Sequence, residues 1–123
     1  MTLLLDTHVL VWLLEGVRLG VQARSAILAG EVHVSSISVW EIAIKSAAGR
    51  LDVPAVESLL ETDDFPELAF TSAHGRAAGA LPQHHRDPFD RALIAQARIE
   101  GLVLVTADRA MRAYDVALLD AAR

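Results

Sequence analysis

The stretch Asp87–Asp108, DPFDRALIAQARIEGLVLVTAD, decides the fold. Asp87 followed by Pro88 reads as a helix start, because proline is favoured at the first helical position, where its missing N–H is not needed. The helix runs to about Glu100, and Gly101 ends it. Leu102–Val105 is then the best strand in the chain, a short continuous apolar run of the kind that is covered on both faces. Asp108 follows that strand and opens a short helix to about Arg112.

The same alternation extends in both directions. Thr2–Leu5 is a short apolar strand ending at Asp6, and a helix follows from Thr7 to Glu15. Val21–Ala29 reads as a second helix closed by Gly30, and Val32–Val34 as a strand. Ser35, Ser36 and Ser38 offer N-caps to a helix reaching about Ala48. Pro54 suits the first position of a helix over about Ala55 to Glu61, Leu68–Phe70 a third strand, and Ser72 the cap of a helix to about Ala80. Val116–Leu119 supplies a last strand. Short apolar strands alternating with helices imply an α/β, three-layer fold: a central parallel sheet of about five strands, covered by helices on both faces.

Composition sets the outer bounds. A chain of 123 residues, 53% apolar and 22% charged, fits a single domain over 1–123 with its own core. Cysteine is absent, so disulfides and thiolate metal sites are excluded, which fits a reducing, cytoplasmic setting. The opening MTLLLD lacks the basic region of a signal peptide, and no apolar run approaches the ~20 residues of a membrane span. A net charge of −5 argues against a broad phosphate-binding surface, but not against a nucleic-acid substrate met at an acidic, cation-filled centre.

The acids carry the chemistry. In open parallel sheets ligands bind beyond the carboxyl ends of strands, at the point where successive connections diverge. Asp6 and Asp108 stand at two such ends, and their strands become neighbours if the chain winds outward from strand one and returns on its other side. Either acid could equally cap the helix after it. Glu41 lies inside the apolar helix SVWEIAIKSAAG, so although an ion pair with Lys45 is available, enclosure is the stronger reading. An enclosed carboxylate must be paired, protonated or metal-bound. Asp87 is a structural helix cap, while Asp90, three residues on, can serve the helix dipole or project toward a metal.

Carboxylates gathered in a partly dry site repel unless cations neutralise them. An all-oxygen ligand set favours Mg2+ or Mn2+ over Zn2+, and the chemistry of that arrangement is phosphodiester cleavage. His8, His33, His74 and the His84–His85 pair show no zinc-binding spacing, and each reads as a solvated or locally bonded side chain. Lys45, Arg86, Arg91 and Arg109 are candidate phosphate contacts, or partners for adjacent acids.

With LLLDTHVLVWL, SSISVWEIAIKSAAGRL, DPFDRALIAQA and LVLVTADR in this order, the chain resembles a PIN-domain protein over essentially its whole length, specifically a VapC-type toxin of a type II toxin–antitoxin pair. The resemblance implies a metal-binding quartet of Asp6, Glu41, Asp90 and Asp108, with Thr7 and Thr106 at hydroxyl positions beside it. It also implies Mg2+- or Mn2+-dependent RNA cleavage, homodimerisation and inhibition by a cognate antitoxin. The rival expectation is a protein of the same fold that acts as a binding partner with little or no nuclease activity. A receiver-like domain would need clustered acids after strand one, and a dehalogenase-like phosphatase a D-x-D where Asp6-Thr7-His8 stands.

Overall fold

A computed structural model of the chain describes residues 1–16, 18–51 and 56–123. The expected helix start at Pro54 lies outside the described residues. The elements are β1 (Thr2–Leu5), α1 (Thr7–Glu15), α2 (Val21–Ala29), β2 (Glu31–Ser35), α3 (Ser36–Ala47), α4 (Val56–Leu60), β3 (Glu67–Leu68), α5 (Ser72–Ala80), α6 (Pro88–Glu100), β4 (Val103–Thr106), a 3₁₀ turn (Arg109–Ala113) and β5 (Leu118–Asp120). The strands form one five-stranded sheet in the order β3-β2-β1-β4-β5, every pair parallel.

The central strand shows why the sheet lies between two layers. Successive side chains of a strand point to opposite faces, and in β1 all three leucines are buried. Leu3 and Leu5 pack with Val9, Leu10, Ile27, Val34 and Ile42 of α1, α2, β2 and α3. Leu4 faces the other way and packs with Leu93, Ile94, Leu104 and Met111 beneath α6. A strand with apolar residues on both sides has no solvent face, so helices must cover both.

From β1 the chain winds through β2 to β3 on one side, then crosses back so that β4 and β5 extend the other. The β1–β4 junction is therefore the switch point, and the register Leu5↔Val105 sets the next residues, Asp6 and Thr106, side by side at the carboxyl edge.

Several boundaries differ from the sequence reading for local reasons. The third strand covers Glu67–Leu68 rather than Leu68–Phe70, because the Phe70 N–H turns away to donate to Ser36 Oγ at 3.0 Å. Thr71, not Ser72, caps α5: its hydroxyl accepts from the His74 N–H while His74 Nδ1 accepts from the Thr71 N–H. The last strand starts at Leu118 rather than Val116, whose N–H closes a tight turn onto Tyr114 O at 3.0 Å. Leu102 belongs to the α6 terminus, its N–H bonded to Ala97 O, so β4 begins one residue later than expected.

Candidate metal centre

Asp6 and Asp108 stand just past the ends of β1 and β4, and Glu41 and Asp90 are near enough to Asp6 for their charges to act on one another. Asp6 is 1% exposed. Its N–H continues the sheet ladder to Val105 O at 3.0 Å, and its Oδ2 accepts from the Thr106 hydroxyl at 2.7 Å. Its Oδ1 is buried with no partner. Thr106 Oγ also accepts the Asp108 N–H at 3.0 Å, which ties the loop after β4 to the end of β1. Thr7 is buried beside Asp6 and donates to the buried Ser38 Oγ at 3.0 Å.

Glu41 is 3% exposed, within α3. Ser35 caps that helix by accepting from the Ile37 N–H, which fixes where Glu41 falls along it. Both sequence readings of Glu41 hold at once, since Oε2 meets Lys45 Nζ at 2.8 Å while Oε1 is buried and unpartnered. Asp90 stands in the first turn of α6, and Asp87 caps that helix by accepting from the Phe89 and Asp90 N–H groups at 2.9 and 3.4 Å. Asp108 is the most open of the set; its Oδ1 accepts from the Ala110 N–H at 2.9 Å.

The groups feel one another's charge. Burial raises the Asp6 carboxyl above its ordinary value; the Thr106 hydroxyl and His8 oppose the shift, and Glu41 adds to it. Burial likewise pushes Asp90 up to about 7, with the charges of Asp6 and Asp87 adding most and His85 opposing. For Asp108, desolvation pulls upward, but the hydrogen bond from His85 and the Ala110 N–H outweigh it and hold the carboxyl below its ordinary value. His85 is desolvated too, yet Asp108, Asp90 and Asp87 raise it.

His85 corrects the sequence reading. Read as solvated or locally bonded, it does accept the nearby Asp87 N–H, but it also places Nε2 3.0 Å from the distant Asp108 Oδ2 and 3.1 Å from Asp90 Oδ2. One ligand atom each from His85, Asp90 and Asp108 lies within 4.8 Å of the others. Proximity to Asp87 and Asp90 was the sole signal in the sequence, and nothing there says that the loop folds back on Asp108. Ser38, read only as a possible cap, is the buried partner of Thr7.

Arg91 is a second correction: it is placed away from any phosphate role. It is 9% exposed, and its guanidinium donates to the carbonyls of Ala78, Leu81, Pro82 and His85. It therefore closes the end of α5 and braces the loop that carries His85. Arg86 and Arg109 are exposed, and Arg109 lines a cleft of about 170 Å³ with Thr106, Asp108, Arg112 and Asp120. His74 is buried in the α5 capping box and bonds Glu100 at 2.9 Å, a local structural role.

The donor set suits a hard divalent cation. Buried polar atoms are almost always satisfied, so two orphaned carboxylate oxygens, Asp6 Oδ1 and Glu41 Oε1, in one acidic site call for a positive partner. Among the described residues no helix is long and apolar enough to cross a membrane.

The chain as a whole matches a known family. The PIN domain family model matches residues 3–117, and the chain belongs to that family. It is 34% identical over 119 residues to Ribonuclease VapC22 of Mycobacterium tuberculosis (strain ATCC 25618 / H37Rv), covering 92% of each chain. Among solved structures, it resembles a chain of VapBC2 from Rickettsia felis bound to a DNA fragment from their promoter, with a TM-score of 0.71, 14% identity and coverage of 97% and 98% of the two chains. A toxin–antitoxin complex from Klebsiella pneumoniae gives a TM-score of 0.69 at 19% identity, covering 95% of each chain. At these identities the structural matches speak to fold alone.

Proposed function

We propose that this chain is a divalent-metal-dependent ribonuclease and the toxin of a type II toxin–antitoxin pair, working as a single catalytic domain over 1–123. The observation that carries the reading is the pair of buried, unpartnered oxygens on Asp6 and Glu41, beside an Asp90 carboxyl pushed up to about 7. Membership of the PIN family and a relative named as a ribonuclease support it.

Asp6, Glu41, Asp90 and Asp108 would hold the cation, which their oxygen chemistry fits as Mg2+ or Mn2+. A divalent cation there supplies the positive charge that activates water and steadies the oxygens of an in-line displacement at phosphorus. Thr106 keeps Asp6 oriented by holding Oδ2, which leaves Oδ1 to face the centre. Thr7, next to Asp6, is held by the buried Ser38 hydroxyl. Lys45 neutralises the outer oxygen of Glu41 and, with the exposed Arg86 and Arg109, supplies charge for the RNA phosphates on either side. A cognate antitoxin as inhibitor, a homodimer and a cytoplasmic setting belong to the same reading; the first is prompted by a neighbour of the same fold described as a toxin–antitoxin complex.

The test is cleavage of a broad RNA pool with Mn2+ by the wild-type chain and by Asp6→Asn, which keeps the shape and removes the charge. Wild type should cleave, and the variant should lose activity by on the order of 10²-fold or more. Equal cleavage by both would overturn the role of Asp6, and cleavage by neither would favour a non-catalytic binding protein.

A further inference from the structure

The loop between α5 and α6 is fixed with more bonds than a connection needs. The His85 N–H donates to the Tyr114 hydroxyl at 2.8 Å, and the His85 carbonyl accepts from Arg91 at 3.4 Å. The Tyr114 hydroxyl donates in turn to Pro82 O at 2.9 Å. Arg91 and Tyr114 are both buried, so the backbone of His85 is held from the protein interior. What these bonds fix in place is an imidazole whose Nε2 lies beside two acids.

The proton on that ring is assigned by its neighbours. The Asp87 N–H donates to His85 Nδ1 at 3.1 Å, so Nδ1 must offer its lone pair, and the neutral ring carries its proton on Nε2. Binding a cation at Nε2 would require stripping that proton or moving it to Nδ1 and breaking the same contact. Metal-ligating histidines show the opposite arrangement, with the second nitrogen donating to an acceptor. The distances among His85, Asp90 and Asp108 would suit a three-ligand site, but the backbone amide sets the ring as a donor.

We propose that His85 is a positioning residue whose Nε2–H donates to Asp108 Oδ2 while Asp90 Oδ2 lies 3.1 Å from the same nitrogen, so that it holds these acids for a divalent cation from outside its coordination sphere. Asp90 comes from α6 and Asp108 from the loop after β4, and two carboxylates brought together repel. The Nε2–H bond to Asp108 at 3.0 Å, with Asp90 Oδ2 3.1 Å from the same nitrogen, offsets that repulsion and sets their spacing, leaving further lone pairs for the cation. This rests on the metal-dependent reading of the site but assigns His85 a part that the acids do not define.

Two measurements on the full chain test it. In 15N spectra of histidine-labelled protein, the neutral His85 ring should carry its proton at Nε2 and not at Nδ1, without metal and with Mg2+. In Mn2+ titrations, His85→Ala should weaken binding about 10- to 100-fold, whereas His85→Gln, whose amide N–H can reach the Nε2 position, should stay within about threefold of wild type. A ring protonated at Nδ1, loss of the Nε2 proton on adding metal, or a Gln variant as weak as Ala would overturn the proposal. A wild-type chain that binds no metal would contradict the proposed function instead, and the tautomer in the metal-free spectrum would still decide whether His85 is a donor.

Discussion

Asp90 shows how one residue can couple the site to stability. Its folded carboxyl titrates at about 7, against an ordinary 3.8. Between those values the folded chain holds a proton that the unfolded chain has released, so raising the pH through this window favours unfolding. His85, raised as well, contributes stability that is present below its ordinary value of 6.5 and lost as pH rises through the folded value. Without metal, the thermal midpoint should therefore fall between pH 5 and pH 8. Asp90→Asn, which has no proton to lose, should flatten much of that fall in a pH series of melting curves, and an unchanged slope would contradict the shift. The residue that looked most ambiguous in the sequence, in a first turn where a carboxylate can simply serve the helix dipole, is the one whose ionisation the fold opposes most visibly. That opposition comes from burial and from Asp6 and Asp87, and only Asp87 is near it in the sequence.

At the scale of elements, α6 and the loop before it form one braced unit. Asp87 accepts two N–H groups of the first turn, so Asp87→Ala should cost about 1 kcal/mol in denaturant unfolding. Arg91 has a larger task, because its removal leaves the carbonyls of Ala78, Leu81, Pro82 and His85 without their donor. Arg91→Ala should lower stability by about 3 kcal/mol on the same measurement, a loss typical of a broken buried network. If Arg91 were instead a phosphate contact, stability would barely change and RNA affinity would fall. The sequence shows this helix plainly, because Asp-Pro, the helix-forming run and Gly101 are all local signals. It cannot show that Arg91 turns inward, because the acceptors lie on α5 and a loop with no periodicity. The same limit applies to His85, whose partner Asp108 is 23 residues away along the chain. The strand bounds slipped by a residue or two wherever a side chain or turn captured a backbone N–H, as Ser36 does with Phe70.

Across the whole molecule, the order β3-β2-β1-β4-β5 turns local patterns into a site. Two apolar runs each followed by an acid are legible in the sequence, and a parallel sheet with one switch point follows from the helix–strand alternation. The register that sets Asp6 beside Thr106 is a property of the assembled sheet, as is the convergence of α3 and α6 on that edge. A chain with a net charge of −5 that also buries acids at one edge gains most from a cation when folded. Millimolar Mg2+ or Mn2+ should raise the melting temperature, by the equivalent of about 2.7 kcal/mol at a hundredfold excess over Kd. The gain should be larger at pH 8 than at pH 5.5, where Asp90 is protonated and a proton competes with the metal.

The most direct measurement is an anomalous-difference map from crystals of the chain grown with Mn2+. A Mn2+ peak is expected within about 2.3 Å of oxygens from Asp6 and Asp90, with Glu41 and Asp108 facing the same ion or its waters and the His85 ring outside its coordination sphere. An empty acidic edge at saturating Mn2+, or an ion bound elsewhere on the chain, would contradict it.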